Sequence, residues 1–259
     1  MIIDAHTHLG SATVEDLLAG MDEGGIDYAL VIAADFFGNL QKTEDLIEEC
    51  RQGEERLRVI GSVCLAKGIE QQLAKLRQYL EEGKIVGIKL YPGYEDYYPN
   101  DERLRLIYEY CQEEGVTVVY HTGVLLAGSR GILKQVRPLE IDQVAHQYPD
   151  LRIVMAHMGN PWLTDCAVVM EKNKNVYADM SGFFPEYKAI KQEGIDIFKQ
   201  KMNIFLDFAG NFNKCLFGTD FPLYKQKEYV AAVEQLEMGE EEKDLVFWKN
   251  ARDLFKLKF

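Results

Sequence analysis

The chain of 259 residues is long enough for one large core and close to the ~250 typical of an eight-stranded α/β barrel. With 47% hydrophobic and 27% charged residues and no repetitive or Pro/Ser-rich stretch, the composition excludes extended disorder. Its 29 basic against 42 acidic residues leave a net charge of -13, which repels a phosphate backbone and argues against a nucleic-acid partner.

Short apolar runs alternate with stretches of helical period, the pattern of repeated βα units feeding a parallel sheet. In chain order the runs are Ile2–His8, Tyr28–Ala34, Leu57–Cys64, Val86–Tyr91, Val116–His121, Ile153–His157, Val176–Met180 and Leu216–Asp220. Thr43–Arg51, Ile69–Glu82, Asp101–Glu114, Leu139–Gln147 and Lys225–Leu236 carry apolar residues three or four apart and read as crossover helices. Gly83 and Gly115 close two of them as caps. Eight strands in this order predict a single (β/α)8 TIM barrel over residues 1–259, with no second domain. The longest connections, Pro92–Asn100, Thr122–Pro138 and Gly182–Gly194, fall after the fourth, fifth and seventh runs. They are therefore expected on the rim where such barrels build their active sites.

Met1 leads straight into Ile2, Ile3 and Asp4 without a basic or apolar leader, and no run reaches the ~18 apolar residues of a membrane span, so a cytoplasmic protein away from membranes is expected. Five scattered cysteines without CxxC spacing point to buried thiols, not to disulfides or a thiolate metal site.

The chemistry-bearing residues gather at the predicted strand ends. In Asp4-Ala5-His6-Thr7-His8 the two-residue period turns Asp4, His6 and His8 to one side. His121 ends the fifth run, His157 the sixth and Asp220 the eighth, just before Pro222, while His146 falls inside a helix. Imidazoles and a carboxylate without thiolates suit one divalent ion, with zinc the first expectation and manganese, iron or cobalt the alternatives. Such an ion lowers the pKa of bound water from 15.7 to about 7. A nearby histidine is then the natural base, and His157 is the candidate.

Four segments carry a family resemblance: Asp4-Ala5-His6-Thr7-His8, Val119-Tyr120-His121-Thr122-Gly123, Met155-Ala156-His157-Met158-Gly159 and Phe217-Gly218-Thr219-Asp220-Phe221-Pro222. Together with Gly87-Ile88-Lys89-Leu90-Tyr91-Pro92, the chain resembles the amidohydrolase-related family that includes aminocarboxymuconate-semialdehyde decarboxylase. The resemblance implies a metal held by His6, His8, His121 and Asp220, with His157 beside it as base or additional ligand and Asp220 also able to take a proton. It implies either hydrolysis of an amide- or ester-like bond in a small molecule, or non-oxidative decarboxylation of an unsaturated or aromatic acid. A barrel that only binds a ligand is the third reading. TatD-type nucleases would place a glutamate where Lys89 stands, and PHP-type phosphoesterases would close with an Asp-x-His pair where Asp220 is followed by Phe221 and Pro222. A carbamylated Lys89 bridging two ions is the binuclear alternative.

For the substrate, Tyr91, Tyr94, Tyr97 and Tyr98 crowd one rim loop, and Trp162, Phe183 and Phe184 follow the sixth and seventh runs. Arg130 and Arg137 are candidates to clamp a substrate carboxylate. Barrels of this kind often pair through helices or rim loops, so a homodimer is the assembly to look for.

Overall fold

The structure is a computed structural model, and residues 1–36, 40–53, 55–184 and 190–259 are described below. Eight strands form one sheet in chain order: β1 (Ile3–Thr7), β2 (Tyr28–Ile32), β3 (Leu57–Ser62), β4 (Ile85–Leu90), β5 (Thr117–Tyr120), β6 (Arg152–Met155), β7 (Val176–Asp179) and β8 (Cys215–Leu216). Every neighbouring pair is parallel. The ring closes between β8 and β1: Ala5 N donates to Phe217 O at 2.9 Å, Asp220 N to His6 O at 2.8 Å and His8 N to Phe221 O at 2.7 Å. The predicted (β/α)8 barrel is therefore the observed architecture.

The crossover helices are α1 (Val14–Gly24), α2 (Thr43–Glu49), α3 (Ile69–Glu81), α4 (Arg105–Glu114), α5 (Leu139–Gln147), α6 (Leu163–Lys172), α7 (Gln192–Ala209) and α8 (Gln226–Val233). Thr13 starts α1 with a capping box, its hydroxyl accepting from Asp16 N while the Asp16 carboxylate accepts from Thr13 N. Gly115 ends α4 at φ 61°, a left-handed conformation that costs a glycine nothing, and its N–H reaches Cys111 O. The helix expected over Asp101–Glu114 is broken in two, because Asp101 caps a 3-10 turn, Glu102–Leu104, ahead of α4. Part of the long connection expected at Gly182–Gly194, residues 185–189, lies outside the described residues.

Alternate strand positions sort into two packed layers. Ala29, Val31, Val118, Tyr120, Ile153, Met155 and Phe217 face the helices. Leu30, Ile32, Val119, Val154 and Leu216 face inward with Ile3 and Ala5. After α8 the chain runs through α9 (Glu240–Asp244), a π-turn at Leu245–Lys249 and α10 (Asn250–Leu254). There Ala251, Leu254, Phe255 and Leu257 join the inward layer and plug the end of the barrel where the strands begin.

One expectation from the strand period is corrected here. Asp4 does not share a side with His6 and His8: its carboxylate accepts from Thr219 N at 3.0 Å, Thr219 Oγ1 at 2.6 Å and Gln226 Nε2 of α8 at 3.0 Å. The register against β2 shifts between Asp4 and Thr7, so strict alternation fails within this strand. Asp4 thus braces the segment leading to Asp220 from the helix side.

Candidate metal centre

Four histidines reach the rim from three strands, and the acceptor beside each ring fixes which nitrogen carries the proton. His6 Nδ1 lies 2.8 Å from Asp179 Oδ2, and His8 Nδ1 lies 2.9 Å from Ile32 O. His121 Nε2 stands 3.1 Å from Val124 O. Carbonyls and an ionised carboxylate only accept, so these nitrogens donate. What remains is a bare Nε2 on His6 and His8 and a bare Nδ1 on His121.

Asp220 completes the group from the turn after β8, at φ 64°, a conformation that a non-glycine residue holds only under constraint. Its backbone supplies the constraint, since Asp220 N donates to His6 O and Leu223 N donates back to Asp220 O at 3.0 Å. The same turn explains why β8 is shorter than the predicted Leu216–Asp220. Asp220 Oδ1 then lies 3.8 Å from His6 Nε2 and 3.7 Å from His8 Nε2.

These distances meet a simple test for a cation. Ligand atoms ~2.1 Å from a tetrahedral ion stand ~3.4 Å from one another. His6, His8 and Asp220 form one compact donor group of this kind, and His6, His157 and Asp179 form another. His6 Nε2 is buried and has no hydrogen-bond partner among the described residues. A polar atom orphaned in this way is costly unless an ion occupies its lone pair, so the residues present fit a divalent metal. His121 stands outside both groups, with its ring centroid 5.1 Å from that of His157 and 4.7 Å from that of Tyr94.

The electrostatics keep the donors ready. Burial, reinforced by the neighbouring His6, lowers His8 to about 3 and His157 to about 4. Burial also takes His121 well below the usual histidine range. The rings are therefore neutral at physiological pH, the form that binds metal. Burial would raise Asp220 and Asp179, but the surrounding histidines and Lys89 outweigh it and hold both carboxyls low. Lys89 is fully buried on β4 with no hydrogen-bond partner for Nζ among the described residues, and burial brings it down to about 8 against the pull of Asp179 and Asp220.

A cavity of about 320 Å³ opens above this group. His8, His121, His157 and Asp220 are at its base, and Leu40, Tyr91, Tyr94, Leu126, Phe221 and Leu223 are among its walls. The rim tyrosines divide in use. Tyr91 donates its hydroxyl to Ala33 O at 2.8 Å, and the Tyr94 hydroxyl accepts from Leu126 N at 2.9 Å. Tyr97 is buried with its hydroxyl accepting from Tyr91 N, and Tyr98 lies under Lys134. The other substrate candidates are elsewhere. Arg130 is exposed, and Trp162 packs beside Arg137, which pairs with Asp165 at 2.6 Å; none of these lines the cavity. Phe183 and Phe184 are buried against Phe198 of α7. His146 stays on α5, away from the site.

Asp179, Ser181 and Gly182 are the members that sequence reasoning missed. Asp179 ends β7, and its Oδ1 accepts from His157 N at 3.0 Å, Ser181 N at 3.1 Å and Ser181 Oγ at 2.5 Å. A methyl group at Gly182 would lie 2.7 Å from His157 Nδ1 and 3.4 Å from Asp220 Oδ2, so the site needs the bare glycine here. The available signal was position: Asp179 closes the seventh strand just as Asp220 follows the eighth.

The amidohydrolase family matches residues 3–257 of the chain. No curated protein sequence matches it. Among solved structures, an uncharacterised TIM-barrel protein from Bordetella bronchiseptica superposes with a TM-score of 0.79 at 21% identity over 98% of each chain. A probable 2-pyrone-4,6-dicarboxylic acid hydrolase from Acinetobacter baumannii, with citric acid bound, gives 0.70 at 18% identity over 99% of each chain. A dihydroxybenzoic acid decarboxylase from Polaromonas sp. JS666, with manganese and the inhibitor 2-nitroresorcinol, gives 0.72 at 16% identity over 98% of this chain and 96% of that one. At these identities the likeness is one of fold. No helix among the described residues is long and apolar enough to cross a membrane.

Proposed function

The chain belongs to the amidohydrolase family of enzymes, and from that premise we propose that it is a metal-dependent hydrolase acting on a carbonyl-type bond of a small molecule in the cytoplasm. The observation that carries this reading is the orphaned, buried His6 Nε2 facing Asp220 Oδ1 alongside His8 Nε2. His6, His8 and Asp220 would hold the ion, and His121, outside that compact group, would complete the set through its bare Nδ1, with zinc proposed first for a set without thiolates and manganese, iron or cobalt as alternatives. When bound, it supplies Lewis acidity, polarising the substrate carbonyl and making water acidic enough to react near neutral pH.

The chain's own residues do the rest. Tyr91, Tyr94, Leu126 and Phe221 wall the cavity and hold an apolar or aromatic body over the donors, which keeps bulk water away. His157 is neutral, with its Nδ1 edge held by Ser181, so its Nε2 is free to take the proton of the attacking water. The proton passes to the leaving group as the carbonyl bond breaks, with His157 or Asp220 as the relay. All five cysteines are free and buried, as suits a reducing compartment.

The apolar cavity wall favours a second reading, non-oxidative decarboxylation of a small unsaturated or aromatic acid, because an apolar site destabilises a carboxylate that loses its charge on leaving as carbon dioxide. One assay separates the two. Purified protein is analysed for metal and screened against small amides, lactones and aromatic acids, with carbon dioxide release recorded. Hydrolytic product without carbon dioxide supports the first reading, and carbon dioxide release replaces it with the second. Asp220→Ala is expected to lose both metal and at least about a thousandfold in turnover, whereas His157→Ala is expected to keep the metal and lose turnover. Full activity in metal-free protein would remove the metal from either reading.

A further inference from the structure

One buried carboxylate holds one imidazole directly and a second through a serine, and the two rings have different work to do. Asp179 is 1% exposed, and its Oδ2 accepts from His6 Nδ1 at 2.8 Å. Its Oδ1 faces the other way, accepting from His157 N at 3.0 Å, Ser181 N at 3.1 Å and Ser181 Oγ at 2.5 Å.

The Ser181 hydroxyl has a single proton, and Asp179 takes it. Its oxygen, 2.8 Å from His157 Nδ1, therefore meets that nitrogen only as an acceptor. The Ser181 carbonyl, 3.3 Å from the same nitrogen, is an acceptor too. Nothing on this edge of the ring donates, so Nδ1 must carry the hydrogen and Nε2 must be bare. The backbone agrees with this orientation: His157 sits at φ 59° and ψ 19°, and its N–H bond to Asp179 holds the turn in that left-handed conformation.

We propose that Ser181, locked by Asp179, is a positioning residue that fixes His157 in its Nδ1–H tautomer and aims the Nε2 lone pair at the cavity. Asp179 does the same for His6 without an intermediary. A single side chain thus orients one imidazole toward the ion and another toward the proton, and holds the two in a constant relation. The inference deepens the functional reading above and rests on it for the role of His157, but its test does not depend on turnover.

The test reads tautomers directly. Protein labelled with ¹⁵N at histidine is studied by two-bond ¹⁵N–¹H correlation, both zinc-loaded and metal-free, with the His157 signals assigned by their disappearance in His157→Ala. Wild type is expected to show the Nδ1–H pattern for His157. Ser181→Ala is expected to add the Nε2–H form, and Ser181→Thr, which keeps a hydroxyl, to restore the single Nδ1–H pattern. Metal content should stay unchanged in Ser181→Ala, while kcat falls about tenfold or more with KM within about twofold. An Nε2–H His157 in wild type would overturn the proposal, and needs no variant to be seen. An unaltered Nδ1–H pattern in Ser181→Ala would also overturn it. Should the tautomers behave as expected while His157→Ala turns over normally, the positioning stands and the assignment of His157 as base falls.

Discussion

The two ends of the barrel are built on opposite terms. Two cavities of about 540 and 570 Å³ are at the end where the strands begin, one among Leu80, Tyr110 and Leu254–Lys258 and one among Arg51, Leu57 and Lys84, yet no compact donor group among the described residues lies there. The rim cavity is smaller, about 320 Å³, and sits over three of the four histidine rings and Asp220. Backbone strain divides the same way. Of four non-glycine residues at positive φ among the described residues, His157, Met158 and Asp220 are at the rim, and only Lys256 is at the other end. Turns at the plugged end close largely on glycines such as Gly83 and Gly115, which adopt that conformation at no cost. Cavity size and site chemistry therefore part company: backbone strain and the compact donor group gather under the smaller cavity.

This division predicts a different signature for perturbing each end. The largest effect is expected from chelation. Removing the ion should abolish turnover and lower Tm by roughly 5–15 °C, with both restored on adding back zinc or manganese; an unchanged melting curve would show that the rim holds no ion worth the name. Next comes Phe255→Ala in the plug, where Phe255 is 3% exposed. It should cost about 3 kcal/mol or more in stability, read by urea unfolding, while kcat/KM stays within about twofold. A large loss of activity there would erase the distinction between the ends. Gly182→Ala should do the reverse. It costs only about 1–2 kcal/mol from the left-handed backbone, but its methyl group meets His157, so turnover should fall at least about tenfold.

The smallest effect tests the rim away from the donors. Burial holds the Glu95 carboxyl above its ordinary value of 4.5, against the lowering effect of hydrogen bonds from Cys64 and from Leu65 N. An acid raised in the folded state contributes stability at low pH that is lost as pH climbs through its folded pKa. Glu95→Gln should therefore melt higher than wild type at pH 7, by about 1 °C for this half-buried group, and the advantage should fade below pH 4.5. An advantage that instead grew toward acid pH would contradict the burial argument.

Much of this arrangement was legible before any coordinates, for reasons that also explain the gaps. Apolar runs such as Tyr28–Ala34 and Val116–His121 announce strands because both faces of a covered parallel sheet are dry, so the eight-strand count is a direct imprint of burial. His6, His8, His121, His157 and Asp220 stand out because polar residues at the ends of apolar runs are conspicuous. Asp179 has the same placement but no unusual neighbour in sequence, and its partners His6, His157 and Ser181 are brought to it only by the ring of strands. The side on which Asp4 falls was misread for a related reason: a register shift inside β1 depends on pairing with β2, and one strand's alternation cannot reveal it. Tertiary hydrogen bonds, not local propensity, decide each of these cases.

The seam between β8 and β1 has a consequence for biosynthesis. The first histidines emerge from the ribosome more than two hundred residues ahead of their carboxylate partner, and the bonds His8 N to Phe221 O and Asp220 N to His6 O form only when the last strand arrives. A nascent chain is therefore blind to its cation until the circle is sewn shut. Vectorial synthesis delays the reactive chemistry until nearly the whole fold exists to contain it.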